Sequence, residues 1–314
     1  GDCVKCHDPH AAKNRNNLRV AGNDLCKTCH ADLVARIEKN RFQHAPVSKG
    51  CLSCHDPHAS GQADHLLKKD VPSLCLGCHR ADQPVFARQH LNYPVAKGRC
   101  TSCHDPHGSD NGALLWPTVH PPVRSKMCAQ CHLDPSSPNA LNVKKPGYEL
   151  CRGCHSGLVN EALSKNRVHW PALDKVGCLH CHSPHASAQP ALLLKPTKLL
   201  CGTCHADTIA RQDTSVTKHP PVDEGECVTC HAPHASDNVF LLQEGDPMVL
   251  CQTCHSYDRH STHPIGDKVV DPRNANLTVN CLSCHRAHGS PYKALGNFDP
   301  QAELCMQCHR DVRR

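Results

Sequence analysis

The chain has 314 residues, of which 26 are cysteine and 28 histidine, with a formal net charge of +6 and a mean hydropathy of −0.51. Only ten residues are Phe, Trp or Tyr, so the side chains alone supply too little apolar surface to offset the entropy of ordering, and a conventional core is excluded. No basic run accompanies the positive charge, only scattered pairs such as Lys68-Lys69 and Lys144-Lys145, which argues against a nucleic-acid partner; the longest aliphatic run, 191–194, falls far short of a transmembrane helix.

From the N-terminus onward the cysteines fall into thirteen C-x-x-C-H units with none left over: Cys3, Cys6 and His7; Cys26, Cys29 and His30; Cys51, Cys54 and His55; Cys75, Cys78 and His79; Cys100, Cys103 and His104; Cys128, Cys131 and His132; Cys151, Cys154 and His155; Cys178, Cys181 and His182; Cys201, Cys204 and His205; Cys227, Cys230 and His231; Cys251, Cys254 and His255; Cys281, Cys284 and His285; Cys305, Cys308 and His309. This is the spacing for covalent attachment of a c-type haem. Two thiols saturate the two vinyl groups, and the following histidine presents its imidazole to the iron. Four-thiolate zinc sites would use the units in pairs, but thirteen is odd and such sites need no histidine. A thioredoxin-like redox pair or a disulfide scaffold explains neither the number nor the histidines.

Thirteen haems leave roughly 24 residues of chain for each, so the porphyrins themselves are expected to be the core. The expected fold is a multihaem cytochrome c fold, loop-rich with short α-helices and little or no β, built as an extended linear haem array over residues 1–314. Two propionates per haem add roughly 26 negative charges and move the holoprotein to about −20, making the lysines and arginines partly counter-ions. Attachment of haem c takes place outside the cytoplasm. An exported chain is therefore expected, periplasmic, outer-membrane-associated or extracellular, with its leader cleaved or lying upstream of Gly1.

The units are of two kinds. The first continues as C-H-x-P-H, placing His10, His58, His107, His185, His234 and His288 three residues beyond the proximal histidine, with Ala287 replacing the proline in the last case. The second lacks that histidine and follows Leu25, Leu74, Met127, Leu150, Leu200, Leu250 or Leu304. The kinds alternate as six pairs, with one additional second-kind unit at Cys128 or Cys151. Between pairs recur histidines followed closely by proline, His44, His90, His169, His219 and His263, which mark weak repeat boundaries near 44, 90, 169, 219 and 263. Helix-forming stretches over 31–39 and 157–164 lead toward His44 and His169, and the proline is expected to stop each helix.

With thirteen histidines proximal, six-coordinate iron throughout needs thirteen more. The six C-H-x-P-H histidines, the five between pairs and His120, which precedes Pro121-Pro122, give twelve. His65, ten residues before Cys75, is a candidate for the thirteenth place; His180, inside its own C-x-x-C, is expected to face solvent, and His263 is preferred over His260 because a proline follows it. A histidine three residues past a proximal ligand cannot reach around the same porphyrin, so it must serve a neighbouring iron, expected within the same pair. Neither end carries a histidine of the kind found between pairs. A terminal haem could borrow His65, take a histidine from a neighbouring subunit or stay five-coordinate. Met127 and Met306 sit at or inside C-x-x-C units and only Met248 is partly free, so axial methionine is disfavoured and low potentials are expected.

The alternation of G-C-x-x-C-H-x-P-H with L-C-x-x-C-H resembles the doubled motif of multihaem c-type cytochromes, including the decahaem MtrA-type proteins that thread outer-membrane porins. The resemblance implies a haem wire carrying electrons across the periplasm, through the outer membrane or along an extracellular filament. Its implied partners are other redox proteins, extracellular acceptors, an outer-membrane porin or copies of itself. Thirteen sites and the additional unit depart from the decahaem pattern. The alternative is a multihaem reductase with one open iron, for which the haems at His7, His132 and His309 are the places to look.

Overall fold

The computed structural model describes residues 3–58, 61, 63–256 and 263–309. Most first-kind units open as a single tight 3-10 turn, at Cys3–Lys5, Cys51–Ser53, Cys100–Ser102, Gly177–His180 and Cys227–Thr229; the last is a four-residue helix, Cys281–Cys284. Second-kind units close a helix instead, at Val71–Leu76, Gly147–Arg152, Thr197–Gly202, Pro247–Gln252 and Glu303–Met306, or lie within the longer Asn23–Lys39. The difference is local. Val71-Pro72 and Pro247 set the starting turn, where proline loses no hydrogen bond, and the leucine before the cysteine continues it. In five of the six first-kind units a proline two residues after the histidine keeps the residue between them out of helix.

One unit departs from its expected kind. Cys128–Gln130 is a 3-10 turn, and His132 bridges Val143 as His7, His55, His104, His231 and His285 bridge Leu18, Leu67, Leu115, Leu242 and Gly296. The Cys128 unit is thus first-kind in backbone while lacking the extra histidine. Its physical cause is Lys126, whose φ of 56° ends the turn begun by Pro121–Arg124 before Met127 can carry a helix into Cys128.

Helices occupy the expected 31–39 and 157–164 stretches, as parts of Asn23–Lys39 and Ser156–Ser164, and a third, Ala206–Thr214, follows His205. Their histidine-bearing starts are bent out of helical geometry, with ψ of 36° at His30, 35° at His155 and 40° at His205. The proline does not stop them. They end earlier, at extended Asn40, Lys165 and Ser215, because the next residues pair with a distant strand.

That pairing is the β content. Phe42–Gln43 pairs antiparallel with Gly108–Ser109, Thr118–Val119 with Ala186–Ser187, and Arg167–Val168 with Ala235–Ser236, while Thr217 bridges Ser290. Each joins the residues just before a between-pair histidine (His120 included) to those just after a C-H-x-P-H histidine. A separate hairpin joins Val270–Asp271 to Asn274–Thr278.

The chain divides into two compact units, one of Gly1–Lys145 with His182–Leu192, the other of Pro146–Cys181 with Leu193–Arg314. Buried apolar residues are few: Ile37, Tyr93, Val119, Ala140, Ala186 and Val279. The polypeptide exposes 21404 Å², where a folded chain of this mass ordinarily exposes about 13,000 Å². Side chains packing on side chains are therefore not what holds the repeats; no described helix is long and apolar enough to cross a membrane.

Candidate functional site

Most C-x-x-C-H segments are closed by the histidine N–H donating to the first cysteine's carbonyl, at 2.9 Å in His7, His79, His155, His205, His255, His285 and His309. No cysteine is in a disulfide. One turn thus holds two thiols and an imidazole together, as attachment to one porphyrin edge and its iron requires.

The first-kind imidazoles are oriented by a contact the sequence reading did not anticipate. Nδ1 of His7, His104, His132, His182, His231 and His285 lies 2.7–2.9 Å from the carbonyl oxygen nine residues on, that of Asn16, Ala113, Leu141, Ala191, Phe240 and Ala294. His55 reaches the His65 carbonyl at 2.9 Å. A carbonyl only accepts, so Nδ1 carries the proton and Nε2 keeps its lone pair, the arrangement that prepares a histidine for a metal. Except for Leu141, the accepting residues adopt left-handed backbone, with φ of 52–59°. A recurring leucine within two residues after the acceptor, as at Leu66-Leu67, Leu114-Leu115 and Leu241-Leu242, was the available signal.

The other histidines are held similarly. Nδ1 of His44, His120, His169 and His219 bonds the carbonyls of Pro106, Pro184, Pro233 and Ala287 at 2.7–3.0 Å, the residue before a C-H-x-P-H histidine in each case. His90 instead bonds Phe86, four residues back, at 2.9 Å. Burial pushes the pKa of His104, His185, His219 and His288 down, toward the neutral imidazole that binds iron.

Among the described residues, these imidazoles face one another in pairs. A proximal first-kind histidine meets the C-H-x-P-H histidine of the next first-kind unit: His7–His58 at 5.9 Å between ring centroids, His55–His107 at 6.2 Å, His132–His185 at 5.8 Å and His231–His288 at 5.9 Å. A second-kind histidine meets the between-pair histidine before it: His79–His44 at 6.1 Å, His205–His169 at 6.2 Å, His255–His219 at 6.1 Å and His309–His263 at 6.4 Å. His104 meets His90 at 6.3 Å. Imidazole nitrogen binds a first-row metal at about 2.0–2.1 Å, so two rings on opposite sides of one ion have centroids a little over 6 Å apart. The residues present therefore fit a six-coordinate haem iron between each pair.

The thiols run close together in sequence order within each unit. Burial and the neighbouring Cys100 push Cys75 up to about 11, Cys128 acts likewise on Cys103 and Cys281 on Cys251, while Cys201 hydrogen-bonds Cys227. In a c-type haem these sulfurs are thioethers, so the contacts report which attachment edges are neighbours.

The other candidate histidines make the following contacts. His65 contributes its backbone carbonyl and, among the described residues, faces no imidazole; neither do His10, whose side chain is 95 % exposed, and His30. His180 bonds Asp174 at 2.7 Å, in keeping with the exposed role expected of it. His234 accepts the His169 N–H through its carbonyl. His260 lies outside the described residues.

Seven segments, 1–35, 44–84, 92–119, 120–160, 169–210, 219–260 and 274–314, match the model of the doubled CXXCH motif family. Six hold two motifs and 92–119 holds one, which pairs Cys128 with Cys151 and leaves Cys100 as the single unit. No curated protein matches the chain.

Proposed function

Since this chain belongs to the doubled CXXCH motif family and is a multihaem c-type cytochrome, we propose that it relays electrons over long distances through thirteen covalent haems, most of them bis-histidine. The observation that carries this is the set of nine imidazole pairs with centroids 5.8–6.4 Å apart. Iron held on both faces by imidazole has no place for substrate and little change in geometry between its oxidation states. Such iron exchanges electrons and catalyses little. His10, His120 and His234 complete the proposed axial set with the paired histidines above; His65 leaves it.

The setting we propose is extracellular electron transfer, as a filament of copies or as a wire associated with an outer-membrane porin. The first repeat pair supports an assembled state. His30 faces no imidazole among the described residues and His10 is almost fully exposed, so the His30 iron draws its second ligand from beyond the described residues, as a neighbouring copy would supply. His30 also carries the second reading, a reductase whose open iron sits there.

Holoprotein haem content and low-temperature electron paramagnetic resonance test the proposal. Thirteen haems per chain, with almost all ferric iron low-spin, are expected; a chain dominated by high-spin iron would refute the conduit. Electron cryomicroscopy then separates filament from discrete particle, and binding of carbon monoxide to one ferrous haem would favour the reductase.

A further inference from the structure

Two of the facing pairs differ from the other seven in ring orientation. Seven have interplanar angles of 12–25°, but His90 and His104 cross at 68° and His263 and His309 at 87°, with centroids 6.3 and 6.4 Å apart against 5.8–6.2 Å in the seven. A ligand can turn about its iron–nitrogen axis without changing that distance.

The His90 case has a traceable cause. By the rule followed elsewhere, His104 should meet the histidine three residues past the next first-kind proximal ligand, but Pro135 stands there. His90 takes its place. It caps the helix Pro84–Gln89, bonds the Phe86 carbonyl of that helix and lies against the Phe86 ring, 4.5 Å between centroids. The four histidines bonded to a C-H-x-P-H carbonyl stand instead at the start of a helical turn, with their imidazoles tied to a distant segment.

Resting on the bis-histidine reading above, we propose that the haem of Cys100, Cys103 and His104 has crossed axial imidazoles, that Phe86 is the positioning residue setting this, and that this iron is the preferred resting place of an electron in its unit. Low-spin ferric iron has one hole in its π-type d orbitals. Parallel imidazoles act on one of these orbitals, split the set and stabilise the hole. Crossed imidazoles act on both, the splitting collapses and the ferric state loses that stabilisation, so one electron from a neighbouring ferrous haem reduces this iron more readily, with no bond made or broken. The haem of His309, with its 87° crossing, shares the property.

The test is electron paramagnetic resonance of the oxidised holoprotein, titrated with dithionite. A minority low-spin signal with its largest g value well above that of the majority is expected, amounting to two irons and vanishing before most of the majority on reduction. Phe86→Leu should move one iron's worth into the majority signal with haem content unchanged, an effect a merely structural role would not produce. A single homogeneous low-spin signal, or a minority signal that is reduced last, would overturn the inference while leaving bis-histidine ligation intact. Predominantly high-spin iron would instead overturn the reading beneath it. Should Phe86→Leu fail to mature, the titration of the unaltered protein still decides.

Discussion

Asp271 offers a stability prediction that needs no haem chemistry. Its carboxylate is 4 % exposed and is gripped at both oxygens by Arg273, Nε to Oδ1 at 2.9 Å and Nη2 to Oδ2 at 2.5 Å, while the Arg273 backbone N–H also donates to it at 2.9 Å. Arg273 reaches on to the Ser283 carbonyl, inside a C-x-x-C segment, at 3.2 Å. These hydrogen bonds hold the Asp271 pKa down at about 2, against about 3.9 unfolded. The folded pKa is the lower, so the contribution is fully present above pH 4 and is lost as pH falls through 2. At pH 7 it amounts to about 2.5 kcal/mol, and at pH 3 about half of that remains. Asp271→Asn should therefore raise hydrogen exchange of the 270–284 segment by up to about 70-fold at neutral pH and about tenfold at pH 3, after correction for intrinsic rates. Protection in the variant within twofold of the parent at pH 7, or a ratio that does not shrink on acidification, would refute the assignment.

Replacing His169 with alanine should expose one iron, so that one equivalent of carbon monoxide binds per reduced chain where the parent binds less, read from the difference spectrum. His65→Ala, by contrast, should leave the spectrum and ligand binding unchanged, because only its backbone carbonyl is engaged. Ala191 holds φ of 52°, a conformation costing an L-residue about 1–2 kcal/mol that glycine escapes; after glycine's own entropy is set against it, Ala191→Gly should be neutral to slightly stabilising in denaturant, while Ala191→Val should destabilise by more than 1 kcal/mol. Arg36→Ala leaves the fully buried Asp105 without the guanidinium now 2.6 Å away and should lower the unfolding midpoint by the equivalent of about 2–3 kcal/mol, reduced from the value for a fully buried pair because Arg36 is partly exposed.

The motif spacing carried most of the site. The C-x-x-C-H spacing names the histidines that the structure turns toward one another, and the helical stretches after His30 and His155 could be read from residue order, because each is specified by neighbours a few positions away. What could not be read is which imidazole meets which. His7 pairs with His58 and His79 with His44, across separations at which spacing says only that a partner exists. Pairing within a single repeat pair was expected for the C-H-x-P-H histidines; instead His58, His107, His185 and His288 cross to the preceding first-kind unit, in a chain whose two-residue strands are too short to leave a periodic signature. Cys128 was placed by the Met before it, yet Lys126 in left-handed backbone decides its conformation, and lysine gives no warning of that.

The crossing of pairs has a consequence for how the chain matures. Once iron joins them, each facing pair except His90–His104 becomes a cross-link over 35–57 residues, and closing a loop of that length restricts the unfolded chain by about 4 kcal/mol. The loops overlap, since His44 lies inside the loop from His7 to His58 and His79 lies inside the one from His55 to His107. On the proposed ligation, a haem attached at His7 would wait, one face open, until His58 had been exported as well. Maturation would then run from the N-terminus like a zip with two kinds of tooth, second-kind irons meeting a histidine already delivered and first-kind irons waiting for the next unit, so that a chain stopped between His132 and His185 would hold an iron that can still bind whatever small ligand is nearby.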